Sequence, residues 1–541
     1  MSKHTSPNMP LPPMTATLWG TPAEAKPLSS SVQKILKTFL DADIDAQPHP
    51  AEADIPIAQV TLDDIHVQAL SNIIGADYVS QSHQQRIRHA RGKSYPDLLA
   101  MRASKPVTAP DVVVAPHTEE EVLALLQYCT EHHIAVVPFG GGTSVVGGLT
   151  PLNEGFNGVV SLDLARFDRL EDVDPVSLEA TLGAGLSGPH AELLLAEHNL
   201  QLGHFPQSFP YASIGGFAAT RSSGQSSAGY GRFDEMVRSV TVVTPTGISE
   251  IGYNAPASAA GPDLRHLFLG SEGTLGIITR VRVRVHEIPA TKRYEAFSFP
   301  DFESGAHALR KVTQTGTGPT VLRLSDEIES SVNLTSTHNI GEADTNNNGC
   351  LCLTMYEGTA EHTASRHAET RELLLACGGT SLGEQPVRQW EKGRFGAPVL
   401  RDGLLDSGVI CETLETATDW SNVTRLKKAV TKALGDTLAA SGAPSIIMCH
   451  ISHVYSGGCS LYFTVIAAQR HDDPAAQWWP AKKAATQAMV DNGGTITHHH
   501  AVGTDHREHI VAEQGDLSIA ILRGIKQQVD PAGILNPGKL F

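Results

Sequence analysis

Positive charge is scarce in this chain of 541 residues: 41 Lys and Arg stand against 58 Asp and Glu, a formal net charge of −17. Binding a phosphate backbone needs clustered cations, so this balance excludes nucleic acid as a partner. Long apolar runs are missing as well, and no membrane-spanning helix is expected. The start, residues 1–13, is polar and Pro-rich and lacks the apolar centre of a secretory signal. It reads as a disordered lead. Cysteine is sparse: Cys129, Cys350, Cys352, Cys377, Cys411, Cys449 and Cys459 are odd in number and scattered. That excludes a disulfide framework or a zinc cluster and points to free thiols in a cytoplasmic protein. No internal repeat of solenoid period occurs.

Glycine, by contrast, is plentiful, with 49 residues, and it is gathered in tracts. The first tract is Pro138-Phe139-Gly140-Gly141-Gly142-Thr143-Ser144, closed by Gly147-Gly148. It follows an apolar strand pattern, Ile134-Ala135-Val136-Val137. Glycine lets backbone N–H groups approach an anion closely, and Thr143 and Ser144 add hydroxyl donors. The loop's spacing is neither GxGxxG nor GxxxxGK[ST]. A second tract runs from Gln207-Ser208 through Ser213-Ile214-Gly215-Gly216 to Thr220, Ser222 and Ser223. The third is Glu272-Gly273-Thr274-Leu275-Gly276-Ile277-Ile278. One such loop could be a tight turn. Three so close together point to a long polyanionic ligand, and a dinucleotide diphosphate fits.

The periodicity divides the chain into four stretches. Residues 1–104 hold the lead and a helical segment, with a helical pattern over 32–40. Residues 105–290 open with strand 112–114, a helix from Glu119 to His132 and strand 134–138, a β-α-β unit that ends on the first glycine loop. Thr118 followed by Glu121 marks that helix's start. Strands are expected at 158–162, 178–182, 239–245 and 275–288. Residues 291–480 alternate strands (294–298, 319–324, 350–356, 408–412, 446–453, 459–468) with helices (302–315, 360–376, 419–440), the pattern of an antiparallel sheet backed by helices. Residues 481–541 read as a helical tail, broken at Gly493-Gly494.

Taken together, the three tracts resemble the FAD-binding domain of the vanillyl-alcohol oxidase flavoprotein family. Val529-Asp530-Pro531-Ala532-Gly533-Ile534-Leu535-Asn536-Pro537-Gly538-Lys539 is similar to that family's closing segment. The resemblance covers roughly residues 100–541. It implies an α+β fold, with a two-part FAD-binding domain and an α/β cap over the isoalloxazine, and it assigns the residues of the three tracts to FAD. Covalent members often attach the flavin to a His or Cys in or near the first loop. Here that loop carries Thr143-Ser144, so noncovalent FAD is expected.

The C-terminal half separates the branches of this family. D-lactate and glycolate dehydrogenases carry a Gly-Asp-Gly-Asn-x-His metal motif and a Glu-His pair. Here Tyr462 falls where the metal His would be, and His499 takes the place of the Glu. No metal is expected, and a FAD-dependent 2-hydroxyacid dehydrogenase or oxidase is kept as the alternative. The triplet His498-His499-His500 followed by Ala501-Val502-Gly503 resembles the alkyl-dihydroxyacetonephosphate synthase branch. Trp19-Gly20, Gly203-His204-x-Pro206-x-Ser208, Leu322-Arg323-Leu324, Leu400-Arg401-Asp402 and Glu412-Thr413-Leu414-Glu415-Thr416 are similar to segments of that branch. Gln207 stands where the branch has Asp, and Ala501 where it has Gly.

The resemblance implies a redox-neutral exchange of the acyl group of acyl-dihydroxyacetone phosphate for a fatty alcohol. It implies Tyr462 as the proton donor and acceptor. A phenol's pKa near ~10 needs positive charge close by for a base role, which protonated His498, His499 and His500 would supply. Arg401 is the residue expected on the substrate's polar head, since its fork of donors matches phosphate. Arg323 is expected just behind it, or paired with Asp326. His450 and His453 either line the site or belong to the core. A homodimer and peripheral membrane contact complete the expectations.

Overall fold

The computed structural model describes residues 14–25, 27–42, 44, 49–103, 105–253, 255–332 and 349–541. The Pro-rich lead 1–13 lies outside the described residues. Three large sheets and a two-stranded ribbon, Leu200–Gln201 with His286–Glu287, organise the described residues. In the first, Val112–Val114, Val159–Asp163 and Ala135–Phe139 run parallel, with Val79–Ser80 antiparallel on the edge. The strands of the expected β-α-β unit are therefore not neighbours, because Val159–Asp163 sits between them. Its helix, Glu119–Glu131, is capped by Thr118, whose hydroxyl accepts from the Glu121 amide at 3.2 Å. The second sheet is antiparallel, in the order Leu170–Asp174, Glu179–Gly183, Ile277–Arg284, Val237–Thr244, Gly247–Gly252.

The third sheet carries the cap. Its seven antiparallel strands run Thr380–Gly383, Thr291–Phe299, Cys350–Gly358, Val321–Ser325, Ser445–Ile451, Gly458–Ala468, Val409–Asp419. Helices Phe302–Thr315, Ala360–Ala376 and Val423–Ala440 back it, as their apolar spacing requires. Val423, Leu426, Val430, Leu434 and Leu438 recur every three or four residues on the last of these and are all buried. Helix Pro474–Asp491 packs on it through Trp478, Ala481, Ala485 and Met489.

Two helices depart from the sequence reading: Gln385–Gly393 and Ala397–Asp406, both with Pro in the first turn. They close over the sheet's site face. The tail also differs, since after Asp491 the chain is loop as far as residue 506, and the long helix resumes only at Asp516–Val529. The closing segment then returns to the first sheet. Val136 donates to the Ile534 carbonyl at 2.8 Å, and Asn536 donates to the Val136 carbonyl at 2.8 Å. No helix of the described residues is long and apolar enough to cross a membrane.

Candidate active site

A single cavity runs from the glycine loops of the first two sheets to the strands and helices of the cap. Its near end is built by close approach of backbones. A Cβ on Gly140 would lie 2.2 Å from Ser213 Oγ, and one on Gly141 would lie 1.9 Å from the Tyr211 carbonyl oxygen. At Gly141 the neighbour is fixed backbone, and only glycine permits that approach. The backbone N–H groups of residues 140–144 donate to no protein acceptor among the described residues, although the loop lines the cavity. A row of free amides with no Cβ in the way is an anion cradle. The Ser223 hydroxyl, buried and without a partner, lies on the same wall. The donor set fits a dinucleotide diphosphate and therefore FAD.

At the far end Tyr462 stands on strand Gly458–Ala468, opposite Glu415 on strand Val409–Asp419. Its ring stacks on His450 with centroids 4.8 Å apart and faces His499 at 6.1 Å and His500 at 5.6 Å. Burial pushes the Tyr462 phenol up to about 12, despite a hydrogen bond with the Thr413 side chain. The histidine triplet sits on a loop fixed by one carboxylate. Glu415 accepts from the Thr497 hydroxyl at 2.6 Å and from the amides of His498, His499 and His500 at 2.5, 3.1 and 2.9 Å. A second carboxylate secures the loop's end: Glu272 accepts from the amides of Val502 and Gly503, both at 2.8 Å. Burial raises Glu272 to about 7.

The triplet does not carry the positive charge expected of it. Burial holds His500 down to about 3, and His498 and His499 are lowered for the same reason. Neutral rings save the cost of an unhydrated charge. His498 also turns away from the cavity: its Nε2 meets the Tyr455 hydroxyl at 2.6 Å and its Nδ1 meets His499 Nδ1 at 2.9 Å. His453, His498 and His499 each bring a ring nitrogen within 4.8 Å of the others.

Arg401, on helix Ala397–Asp406, faces the cavity and is 8% exposed. Its Nη1 donates to the Lys93 carbonyl at 2.6 Å, while Nε and Nη2 are buried without partners among the described residues. The neighbouring Asp402 accepts from the Trp19 amide at 2.8 Å, which brings the N-terminal Trp-Gly segment to the cavity wall. Arg323 is paired with Glu329, not with Asp326, whose carboxylate lies 3.0 Å from Lys427. Glu329 also meets His450 Nδ1 at 2.9 Å.

The cavity wall thus brings together Pro138 to Ser144, Gln207, Ser208, Ser213, Gly215, Gly216, Thr220, Ser222, Ser223, Glu272, Gly273, Gly276, Ile277, Ile278, Arg323, Arg401, Tyr462, His499 and His500. Ile214, Thr274, Leu275 and His498 do not line it. Ile214 and Leu275 are buried in the core beneath the loops, and the Thr274 hydroxyl closes a turn onto the Ser271 carbonyl. The sequence reading missed the roles of Glu415, which it placed only inside a motif, and of Arg394, also on the wall.

Residues 110–251 match the family model of an FAD binding domain, and residues 288–540 match that of the C-terminal domain of FAD linked oxidases. The alkyldihydroxyacetonephosphate synthase of Dictyostelium discoideum is 32% identical over 557 residues, covering 96% of this chain and 90% of the relative. A solved alkyldihydroxyacetonephosphate synthase structure superposes with a TM-score of 0.82 at 29% identity, covering 97% of this chain and 99% of the other. A mitochondrial D-lactate dehydrogenase (cytochrome) of Arabidopsis thaliana is 29% identical over 447 residues, 81% of this chain and 74% of the relative.

Proposed function

The chain belongs to the alkyldihydroxyacetonephosphate synthase family of FAD-linked oxidases, and from that membership we propose how its cavity works. The protein is a flavoenzyme that exchanges the acyl group of acyl-dihydroxyacetone phosphate for a fatty alcohol in ether-lipid synthesis. The observation that carries the mechanism is continuity: one cavity joins a glycine cradle to Tyr462, Arg401 and an apolar wall that includes Leu400, Leu404 and Ile466.

FAD, bound noncovalently, supplies a reversible electron-pair acceptor at its isoalloxazine ring. The protein's own groups do the rest. The amides of residues 140–144 hold the diphosphate. Arg401 takes the substrate's phosphate with its two unpartnered N–H edges. Tyr462 Oη exchanges a proton with the substrate carbon, with Arg401 rather than the histidines as the cation that favours its ionised form, and Thr413 orients its hydroxyl. Glu415 fixes the histidine loop against the phenol. The apolar wall takes the hydrocarbon chains and excludes water. The test supplies purified enzyme with acyl-dihydroxyacetone phosphate and labelled hexadecanol. Labelled ether product should match released fatty acid one for one. Fatty acid release without ether would overturn the reading.

The cluster of His453, His498 and His499 favours a second reading, a 2-hydroxyacid dehydrogenase, since three ring nitrogens within 4.8 Å suit a metal. Anaerobic bleaching of the flavin by D-lactate, together with stoichiometric metal in the purified protein, would move the assignment there. The lipid-like substrates give peripheral membrane contact a purpose. With a homodimer and a cytoplasmic location, the latter in keeping with seven free cysteines, it belongs to the proposal. Vesicle flotation and sedimentation test the first two.

A further inference from the structure

Arg394 occupies the turn between helices Gln385–Gly393 and Ala397–Asp406 and lines the cavity with Arg401. Its position is fixed from two sides. The Arg394 carbonyl accepts from Gln207 Nε2 at 2.8 Å and from Gln225 Nε2 at 3.0 Å. The guanidinium carbon lies 4.5 Å from the centre of the Phe205 ring and 4.9 Å from that of Phe395. Aromatic faces hold the guanidinium plane and leave its N–H edge free. That edge has an unmet donor: Nη1 is buried and has no partner among the described residues.

The carboxylates nearby are engaged elsewhere. Glu357 pairs with Lys292 at 2.8 Å and accepts from the Tyr230 hydroxyl at 2.8 Å. Glu391 takes Lys292 at 3.0 Å and Tyr294 at 2.9 Å. Glu192 accepts from the amides of Leu202 and Gly203 at 3.0 and 2.8 Å. Among the described residues no ion pair neutralises Arg394. A cation taken out of water without a counter-ion is costly, and ring contacts return only part of that cost. A half-buried guanidinium held between aromatic rings, with one N–H group buried and unmet, on a ligand cavity marks the place of an anion that arrives with the ligand.

We propose that Arg394 is a second anion hook and that, with Arg401, it clamps a phosphate dianion. A phosphate monoester carries about −1.5 to −2 at neutral pH, its second pKa lying near ~6. A carboxylate carries a single charge. Two unpaired guanidiniums therefore select a phosphate ester over a 2-hydroxy acid. The inference rests on the reading of the cavity as a site for dihydroxyacetone phosphate esters.

The test uses the full-length, flavin-loaded enzyme with Arg394→Gln and Arg394→Lys. Inorganic phosphate serves as the probe, read as inhibition and as a shift of the flavin absorption band. Arg394→Gln should weaken phosphate binding and raise the KM for acyl-dihydroxyacetone phosphate at least ~10-fold, one lost charge-assisted contact. The KM for hexadecanol, the flavin content and the melting temperature should hold, and Lys should recover part of the loss. Phosphate binding within twofold of wild type would overturn the clamp. So would a joint rise of both KM values with loss of flavin, because that marks a structural arginine. Should the wild type turn over no acyl-dihydroxyacetone phosphate, the functional reading fails. The phosphate titration then still decides: weaker binding in Arg394→Gln sustains the clamp, and equal binding, or none in the wild type, ends it.

Discussion

Glu415→Gln is the sharpest probe of the histidine loop. The carboxylate is 3% exposed, and its two oxygens share four donors. Oε1 takes the Thr497 hydroxyl and the amides of His499 and His500, and Oε2 takes the amide of His498. A carboxamide has one oxygen. With that oxygen in the Oε1 position three bonds survive, but the NH2 group then faces the His498 N–H. A buried donor without an acceptor costs about 1–3 kcal/mol, and the surviving bonds lose charge assistance. A total near ~3 kcal/mol is expected. If the loop relaxes by moving away from Tyr462, that converts to roughly a 100-fold loss of kcat. Flavin content should change little, because the cradle of residues 140–144 lies on another element. Burial by itself would raise the Glu415 pKa, but the Thr497 hydroxyl and the loop amides that donate to its oxygens hold it well below the usual carboxylate range. A lowered pKa in the folded state gives stability that is complete above the unfolded value near ~4.3 and is lost as pH falls through the folded one. The melting-temperature gap between wild type and variant should therefore stay constant from pH 8 to pH 5 and narrow only in stronger acid. The assay is steady-state exchange and thermal unfolding across that range. A variant with kcat within twofold and an unchanged melting temperature would refute the assignment of Glu415 as the residue that positions the loop.

Tyr462→Phe removes one oxygen and should lower kcat by about 10²–10⁴, with flavin content intact; exchange of alcohol for acyl group near the wild-type rate would sink the proton role. Arg401→Lys keeps the charge but loses the planar fork, so the KM for acyl-dihydroxyacetone phosphate should rise about 10-fold or more while flavin stays bound; unchanged kinetics would place the anion elsewhere. Acid precipitation should release yellow flavin into the supernatant, since Thr143 and Ser144 offer no attachment group; colour retained in the pellet would contradict noncovalent binding.

Much of the architecture was legible because apolar spacing and glycine tracts are local signals. Helices Phe302–Thr315 and Ala360–Ala376 fall where periodicity put them, and the glycine loops fall on the cavity wall. Helices Gln385–Gly393 and Ala397–Asp406 escaped because they are short and their core contacts are few: the first buries only Val387 and Trp390 in a small cluster, and the second adds Leu404 and Leu405. The second carries buried Arg401 and Asp402 on the face that the first-turn Pro398 begins. The non-adjacent strands Val112–Val114 and Ala135–Phe139 escaped because pairing is a tertiary choice. The histidines' charge was misjudged for a related reason: pKa follows desolvation, and the burial of His498–His500 depends on strands more than thirty residues away in sequence.

The three arginines of the cavity show what residue type leaves open. Arg323, Arg394 and Arg401 are the same side chain on one wall. Arg323 is paired with Glu329, which also binds His450, so its charge is already spent on holding the ring that stacks against Tyr462. Arg401 and Arg394 have no carboxylate within ion-pair distance among the described residues, although a buried N–H group stands unmet on all three arginines. The chain pays for that burial only if an anion completes it. An incoming phosphate therefore gains most where the protein has left its own charges uncompensated. The sequence named two of these arginines from motifs, but the partner of each depends on Glu329, Lys93 and the two glutamines, which long-range folding alone brings into place. In the proposed clamp, anion selectivity is set by which guanidiniums the fold leaves without a carboxylate partner.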